Sequence, residues 1–95
     1  MIYNNVVIRV NAAEEVPLVS EHLKELAARS KTEVGCERFD LFQSDADPQL
    51  FMLIEAWQSQ ATLDAHRLAP AFVDVYQTHV LPRVSRDPHL CQLLS

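Results

Sequence analysis

Three side chains in the segment from Leu50 to Phe72 are of types that could do chemistry: the carboxyl of Glu55, the indole of Trp57 and the imidazole of His66. Carboxyl and imidazole groups transfer protons in many enzymes. Glu55 stands in a run of apolar residues, where an isolated charge costs too much free energy to be kept. Its carboxyl must therefore be hydrogen-bonded, paired or neutralised.

Two elements must position these side chains. The run Leu50–Trp57 is rich in branched and aromatic residues, which predicts a central strand buried on both faces. Alternation along that strand places Glu55 and Trp57 on the same face. Ser59 is typical of a helix N-cap, and His66 lies on the short helix that would follow. If this helix folds back on the strand, we expect the three side chains to converge.

The segment from Ile2 to Asn11 alternates apolar and polar residues and predicts the first strand. Two adjacent asparagines, Asn4 and Asn5, stand near its start, although asparagine is depleted in strands. Two interpretations remain open. Either the strand begins late and both side chains lie at its frayed start, or Asn5 offers its amide to a pocket.

A helix is predicted to follow the first strand. Asn11 and Glu14 are typical of an N-cap with an acidic residue three positions on. Pro17 then falls in the first turn, where its missing N–H costs little. Apolar residues recur at helical spacing up to about Lys31. Gly35 is the only glycine in the chain and predicts a positive backbone φ between this helix and the next strand.

The second half of the chain supplies a hairpin, a second helix and a last strand. Cys36–Ser44 predicts a strand that joins the central strand through the turn-forming residues 44–49. Pro70 predicts the start of a helix that carries Tyr76 on its apolar stripe, and Pro82 interrupts or ends it. Residues 88–94 predict a short final strand, which could be donated across a subunit boundary.

This order of elements, β-α-β-β-α-β, favours a ferredoxin-like α+β fold in one domain spanning residues 1–95. We expect a four-stranded antiparallel sheet with the helices on one face. Two helices cover only one face of a sheet, whereas the central strand is apolar on both. The sequence therefore predicts a homodimer in which two sheets pack face to face, a dimeric α+β barrel.

Composition limits the classes of partner. The chain has 95 residues and a net charge of −5, and its eight basic residues are scattered, which argues against nucleic acid as a partner. No apolar stretch is long enough to span a membrane, and the N-terminus enters strand-like alternation without a signal segment, so we expect a cytoplasmic protein. Two distant cysteines suggest free thiols and no metal site.

Several segments together resemble the antibiotic biosynthesis monooxygenase family of small dimeric α+β barrels. They are EVGCERFDLFQ, a DP pair before a strand ending in EAW, S-x-x-x-LDAH, and a Pro-Ala-Phe at the start of a helix. The resemblance extends from the first strand to the last helix. It depends on the combined spacing of Gly35-Cys36, Glu55, Trp57, His66 and Phe72.

The resemblance implies a monooxygenase that oxidises a quinol or polycyclic phenol with dioxygen, without a cofactor. A deprotonated phenol can itself pass an electron to dioxygen, so the protein need only remove a proton, hold the anion and exclude water. In this interpretation His66 accepts the proton or hydrogen-bonds the phenolate, and Trp57 forms an aromatic wall. Asn5 or Tyr76 anchors a ring oxygen, and Glu55 orients a histidine or satisfies a backbone group. Each of these side chains also has a purely structural interpretation.

Other branches of the superfamily imply other functions. One isomerises a phosphorylated small ketone, and its phosphate would need convergent cations, for which Arg38, Arg67 and Arg83 are the candidates. The haem-degrading branch needs a tryptophan about where His66 stands and a histidine about where Tyr76 stands, so its pattern is broken here. A dimeric small-molecule-binding module without catalysis is the non-enzymatic alternative.

Overall fold

The computed structural model describes all 95 residues. Short 3-10 turns precede the first helix and the last strand, and no helix has both the length and the apolar character needed to cross a membrane. The strands and helices are β1 Ile2–Val10, α1 Val16–Ser30, β2 Cys36–Gln43, β3 Leu50–Trp57, α2 Gln60–His66, α3 Ala71–Val80 and β4 Val84–Cys91. The predicted order, with the second helical region in two parts, is confirmed.

The four strands form one antiparallel sheet in the order β2-β3-β1-β4. All helices pack on one face of it, which confirms the predicted ferredoxin-like α+β fold. The core lies between this face and the helices, and its largest fully buried side chains are Trp57, Tyr76, Phe39, Phe51, Ile8, Leu23, Leu26, Leu53 and Leu63. We call the opposite side of the sheet the open face.

Residues of β3 are not equally buried on its two faces. Phe51, Leu53 and Trp57 are buried against the helices, as alternation predicts. On the open face, Met52 is 37% exposed and Ile54 is half-buried. The prediction that β3 is buried on both faces is therefore wrong within a single chain, because nothing in the chain covers the open face.

The start of α1 differs from its prediction. A 3-10 turn lies between β1 and the helix, so α1 begins at Val16 and its N-cap is Glu15, without a side-chain cap. Asn11 caps nothing, and its Oδ1 accepts a hydrogen bond from Ser85 Oγ at 3.0 Å. Pro17 does lie in the first turn, as predicted.

The last strand begins earlier than predicted. β4 pairs with β1 of the same chain, from Val84 opposite Val10 to Cys91 opposite Tyr3. The predicted start, Pro88, lies in the middle of β4. Proline is tolerated there because β4 is an edge strand, where a missing N–H on the outer side breaks no ladder hydrogen bond.

Helix α3 is wound more widely than an α-helix. The N–H of Leu81 donates to the carbonyl of Tyr76, five residues earlier, which is the π-helical pattern. The wider turns bury four side chains of α3 against the sheet and α1, namely Ala71, Val75, Tyr76 and Val80. Stretches of π-helix occur often at functional sites.

Gly35 holds the loop between α1 and β2 against α2. Its φ is +82°, as predicted, and a Cβ at this position would lie 2.4 Å from Cγ2 of Thr62. Its carbonyl also accepts a hydrogen bond from the N–H of Gln58 at 2.8 Å. Thr62 is itself fixed, because it forms a reciprocal capping box with Ser59, the predicted N-cap of α2. Only glycine satisfies both the conformation and the close approach.

We predict that Gly35→Ala destabilises the protein by about 2–3 kcal/mol, because it combines a strained left-handed backbone with a clash against Thr62. Urea unfolding measures this change in the free energy of unfolding. Val34→Ala is the matched control, since Val34 is 86% exposed in the same loop. Equal stability of the two variants would contradict the role given to Gly35.

Candidate functional site

The floor of the candidate site is the carboxyl of Glu55, which is only 3% exposed. Its Oε1 accepts hydrogen bonds from Nε1 of Trp57 at 3.0 Å and from Nδ2 of Asn4 at 3.4 Å. Trp57 is on the same face of β3, and Asn4 lies directly opposite Glu55 in the β1–β3 register. The buried carboxyl thus has the partners that its sequence position demands.

Burial raises the pKa of the Glu55 carboxyl above its ordinary value of 4.5. The hydrogen bond from Trp57, the nearby His66 and the hydrogen bond from Asn4 all act in the opposite direction, but they do not cancel the loss of solvation. Glu55 therefore holds a proton at a higher pH than an exposed glutamate does.

The imidazole of His66 packs among aromatic rings. Its centroid lies 4.6 Å from that of Trp57, and 5.4 Å from those of Phe39 and Phe72. Nδ1 of His66 is 2.7 Å from Oε1 of Glu33, in the loop between α1 and β2. An ionised carboxylate only accepts hydrogen bonds, so Nδ1 carries a proton in this contact, and in the neutral ring Nε2 is then the acceptor.

Glu55 and His66 line one small cavity between the helices and the sheet. It offers about 10 Å³ to the centre of a water-sized sphere, which is room for about one water molecule. The complete lining is Asn4, Val6, Leu26, Phe39, Leu53, Glu55, His66, Arg67, Phe72, Tyr76 and Arg86. Among the lining side chains, Arg67, Phe72 and Arg86 are partly exposed, so they form the entrance.

Three buried polar atoms of the lining have no hydrogen-bond partner: Oδ1 of Asn4, the hydroxyl of Tyr76 and Nε of Arg86. Buried polar groups are nearly always paired, so three unpaired ones around one cavity call for an explanation. Oδ1 of Asn4 accepts hydrogen bonds, Nε of Arg86 donates one, and the hydroxyl of Tyr76 can donate or accept. Such a set can hold a water molecule, or a ligand oxygen that both accepts and donates hydrogen bonds.

Tyr76 is a neutral phenol over the ordinary pH range. Burial raises the pKa of its hydroxyl to about 12, although the positive charge of Arg86 acts against this shift. The guanidinium of Arg86 lies 5.4 Å from the centroid of the Tyr76 ring, in the geometry of a cation–π contact. Tyr76 can therefore donate a hydrogen bond, and Arg86 places a positive charge beside it.

The structure brings together three of the five predicted site residues at the cavity: Glu55, His66 and Tyr76. Trp57 does not line this cavity, and its role as an aromatic wall for a substrate stays a prediction. Its ring instead supports His66 from the core side, and its N–H holds Glu55.

Asn5 does not reach the cavity. Its side chain lies on the open face, where Nδ2 is 3.4 Å from Sγ of Cys91. β1 is regular from Ile2 onward, so alternation turns Asn4 toward the helices and Asn5 away from them. Asn5 therefore does not face this cavity, and Asn4 is the asparagine of β1 that lines it.

Sequence reasoning missed Asn4, Glu33 and Arg86. Asn4 could have been found, because strict alternation from Ile2 places it on the apolar face. Arg86 lies within β4, whose early start was not predicted. Glu33 stands in a loop without periodicity, and no local pattern indicates its contact with a residue 33 positions away.

The three arginines proposed to bind a phosphate do not converge. Arg38 pairs with Asp40 on β2 at 2.6 Å, and Arg83 pairs with Glu15 at 2.6 Å. Only Arg67 lines the cavity. No group of three or more His, Cys, Asp or Glu side chains is arranged to hold a metal ion.

A larger open groove of about 470 Å³ lies between α1 and β2. Its charged lining residues are Lys24, Lys31 and Asp40. None of these side chains is buried, whereas the small cavity collects two buried groups with raised pKa values and three unpaired polar atoms. We therefore assign the candidate site to the small cavity.

We predict that Glu55→Gln changes how stability depends on pH. The folded state raises the pKa of Glu55, so native protein loses stability as the pH rises from about 4.5 toward the folded pKa. Glutamine cannot ionise, so the variant escapes this loss and gains stability relative to native protein over the same range. Urea unfolding between about pH 4 and about pH 8 measures the difference. A difference that is constant with pH would contradict the burial effect.

Comparison with known proteins gives a consistent result. No curated protein sequence matches the chain. A Bacteroides thetaiotaomicron protein of unknown function, described as a possible oxidoreductase, is 29% identical, with 97% of this chain and 96% of that chain covered and a TM-score of 0.88. A Nitrosomonas europaea protein, provisionally described as an antibiotic biosynthesis monooxygenase, is 23% identical, with 98% and 99% covered and a TM-score of 0.87.

A Pseudomonas aeruginosa protein is also 23% identical, with 99% of this chain and 95% of that chain covered and a TM-score of 0.88. At these low identities the structures show a shared fold. The family is shown by its sequence model, described as antibiotic biosynthesis monooxygenase, which matches residues 1–78. The match includes β1, the loop that carries Glu33, the strand β3 that carries Glu55, α2 and most of α3. The chain therefore belongs to the antibiotic biosynthesis monooxygenase family.

Proposed function

We propose that this protein is a monooxygenase that oxidises a quinol or polycyclic phenol with dioxygen in the small cavity, using no metal or organic cofactor. Membership of the family supports the reaction class. The observation that carries the proposal is the set of three unpaired buried polar atoms, on Asn4, Tyr76 and Arg86, around a cavity lined by His66.

A phenolic oxygen matches these groups. The Tyr76 hydroxyl and the Arg86 guanidinium donate hydrogen bonds to it, and the Arg86 charge stabilises the anion that forms on deprotonation. Oδ1 of Asn4 accepts a hydrogen bond from a second hydroxyl, such as that of a quinol. Phe39 and Phe72 line the cavity and provide aromatic surface against which an aromatic substrate can pack.

The chemistry begins with a proton transfer. Nε2 of His66 takes the proton of the substrate, and the resulting anion passes one electron to dioxygen. The substrate radical and superoxide then combine through a new C–O bond. The peroxide takes back the proton. The remaining C–H bond at that carbon then releases its proton as the O–O bond breaks, so a carbonyl forms and the departing hydroxide becomes water. For a substrate methylene the balance is CH₂ plus O₂ giving C=O plus H₂O.

Substrate entry requires the site to open. The cavity of about 10 Å³ is far smaller than the roughly 300 Å³ or more of a site that encloses an aromatic ligand. The partly exposed Arg67 and Phe72 flank the connection between α2 and α3, so movement of this segment enlarges the cavity. The described conformation is then the closed one, which excludes water.

The isomerase alternative is less well supported, because Arg38 and Arg83 are paired elsewhere. Arg67 and Arg86 at the entrance would have to bind the phosphate of a small ketone alone. A binding module without catalysis would use the same cavity and differs only in turnover. Both alternatives are decided by the substrate tests below.

We predict that the metal-stripped protein consumes dioxygen with quinols or anthrone-like phenols faster than these compounds autoxidise. His66→Ala lowers the rate by about 100-fold or more, because it removes the proton acceptor. An oxygen electrode measures both. Asn4→Ala and Asn5→Ala form a matched pair, since only Asn4 faces the cavity, and we expect the first alone to slow the reaction.

Three results would contradict this function. No uptake across the substrate panel would overturn the oxidation and make phosphorylated ketones the next substrates to test. Tight binding of a quinol with no turnover would favour the binding module. If Asn5→Ala slowed the reaction as much as Asn4→Ala, the reaction would not depend on the cavity.

We also propose that the protein is a homodimer through the open face of the sheet. The centre of this face is apolar, with Val7 38%, Met52 37% and Phe42 49% exposed. Ion pairs surround it, including Arg9–Asp47 and Arg38–Asp40. An apolar centre with a charged rim is the usual anatomy of a protein interface, and a second copy supplies a matching sheet.

We predict that sedimentation equilibrium gives twice the mass of one chain for native protein and the mass of one chain for Val7→Glu. The added carboxylate would be buried without a partner at the centre of the interface. Leu18→Glu is the control, because Leu18 is 44% exposed on α1, away from the open face. A native monomer at micromolar concentration, or a dimeric Val7→Glu, would contradict the interface.

A further inference from the structure

His66 separates two spaces in the molecule. Its ring lines the buried cavity and also a groove of about 190 Å³ that opens on the outer surface between α2 and the loop after α1. The side chain is only 3% exposed, so solvent does not reach it freely. Glu33 lies on the groove side only, with a side chain that is 19% exposed. Going outward from the cavity to solvent, the first side chain is therefore His66 and the second is Glu33.

The carboxylate of Glu33 is held in place by its backbone. The N–H of Glu33 donates to the carbonyl of Ser30, and the carbonyl of Glu33 accepts from the N–H of Cys36, both at 3.1 Å. Two residues further on, Gly35 packs directly against Thr62 of α2. The loop and the helix that carries His66 thus form one unit, and the 2.7 Å contact between Nδ1 and Oε1 is built into it.

We propose that His66 and Glu33 form a proton path between the buried cavity and solvent, with Glu33 as the outer relay residue. This inference rests on the proposed oxidation, because a cavity with room for about one water cannot itself disperse the substrate proton. The path gives that proton an exit that does not require the cavity to open.

The transfer balances in both directions. Nε2 of His66 takes the substrate proton while Nδ1 passes its own proton to the Glu33 carboxylate, which releases it to water. When the peroxide needs a proton, Nε2 returns one and Nδ1 is refilled from Glu33. The second step restores the starting tautomer, so each turnover leaves the imidazole as it began.

The other groups around His66 do not provide this exit. Glu55 is buried, and its hydrogen bonds tie it to Trp57 and Asn4. The pKa of Cys36 is raised to about 11, chiefly by burial, so it stays a thiol. Arg67 carries a positive charge and accepts no proton. The hydroxyl of Tyr76 is buried and its pKa is raised to about 12, so it keeps its own proton.

The test removes the relay carboxylate and offers a small one in its place. In Glu33→Ala we expect the oxygen uptake rate to fall by about 100-fold, near the lower end for a positioned proton-transfer group. Added formate fits the outer groove and restores the rate in proportion to its concentration. Glu37→Gln is the control, because Glu37 is an exposed acid near the same loop that contacts Gln58 instead of His66. Full activity of Glu33→Ala would overturn the path, as would a loss that formate does not restore.

A measurement without turnover separates this inference from the proposed function. ¹⁵N NMR of the His66 ring reports which nitrogen carries the proton. We expect the Nδ1–H tautomer in native protein and its loss in Glu33→Ala, with a conserved amide spectrum as evidence of folding. An Nε2–H tautomer in native protein overturns the path even if the enzyme oxidises phenols. An inactive native protein with the expected tautomer overturns the oxidation and leaves the Glu33 contact supported.

Discussion

A carboxyl group in the middle of an apolar strand is the constraint on which this structure depends. Leaving Glu55 without partners would cost several kcal/mol, so the fold must supply them. It does so with Trp57 on the same strand and Asn4 across the β1–β3 register. Both donors reach Oε1, and burial keeps the pKa of the carboxyl raised. The strand register, the single tryptophan and the acidity of the cavity floor are therefore linked through one side chain.

A second constraint acts on the backbone and connects the fold to the site. The approach of Gly35 to Thr62 leaves no space for a Cβ, so the loop after α1 and the start of α2 are in direct contact. This contact brings Glu33 to His66 at the other end of α2. The polar groups of the cavity thus come from both strands and helices, which explains why five elements must be correctly placed before any chemistry is possible.

Local patterns predicted the elements well and the faces less well. Apolar periodicity and capping residues act over a few positions, so the strand that carries Glu55, the helix that carries His66 and the positive φ of Gly35 were predictable. Which asparagine of β1 faces the helices depends on where the strand begins to alternate. A shift of one residue at its start exchanges Asn4 and Asn5. The full length of β4 was not predicted because it contains Pro88. Proline is acceptable only in an edge strand, and only the strand order shows that β4 is one. Contacts between distant segments, such as Glu33 with His66, leave no periodic trace.

The most direct test of the central claim is the absorbance spectrum of a bound dihydroxyanthraquinone, a phenol too oxidised to react. The account predicts that native protein at neutral pH binds the dye and shifts its spectrum to the long-wavelength phenolate form, while the fluorescence of Trp57, the only tryptophan, falls. His66→Ala should bind the dye in its neutral form. A neutral spectrum in native protein would contradict the claim that this cavity takes the proton of a phenol, as would a failure to bind.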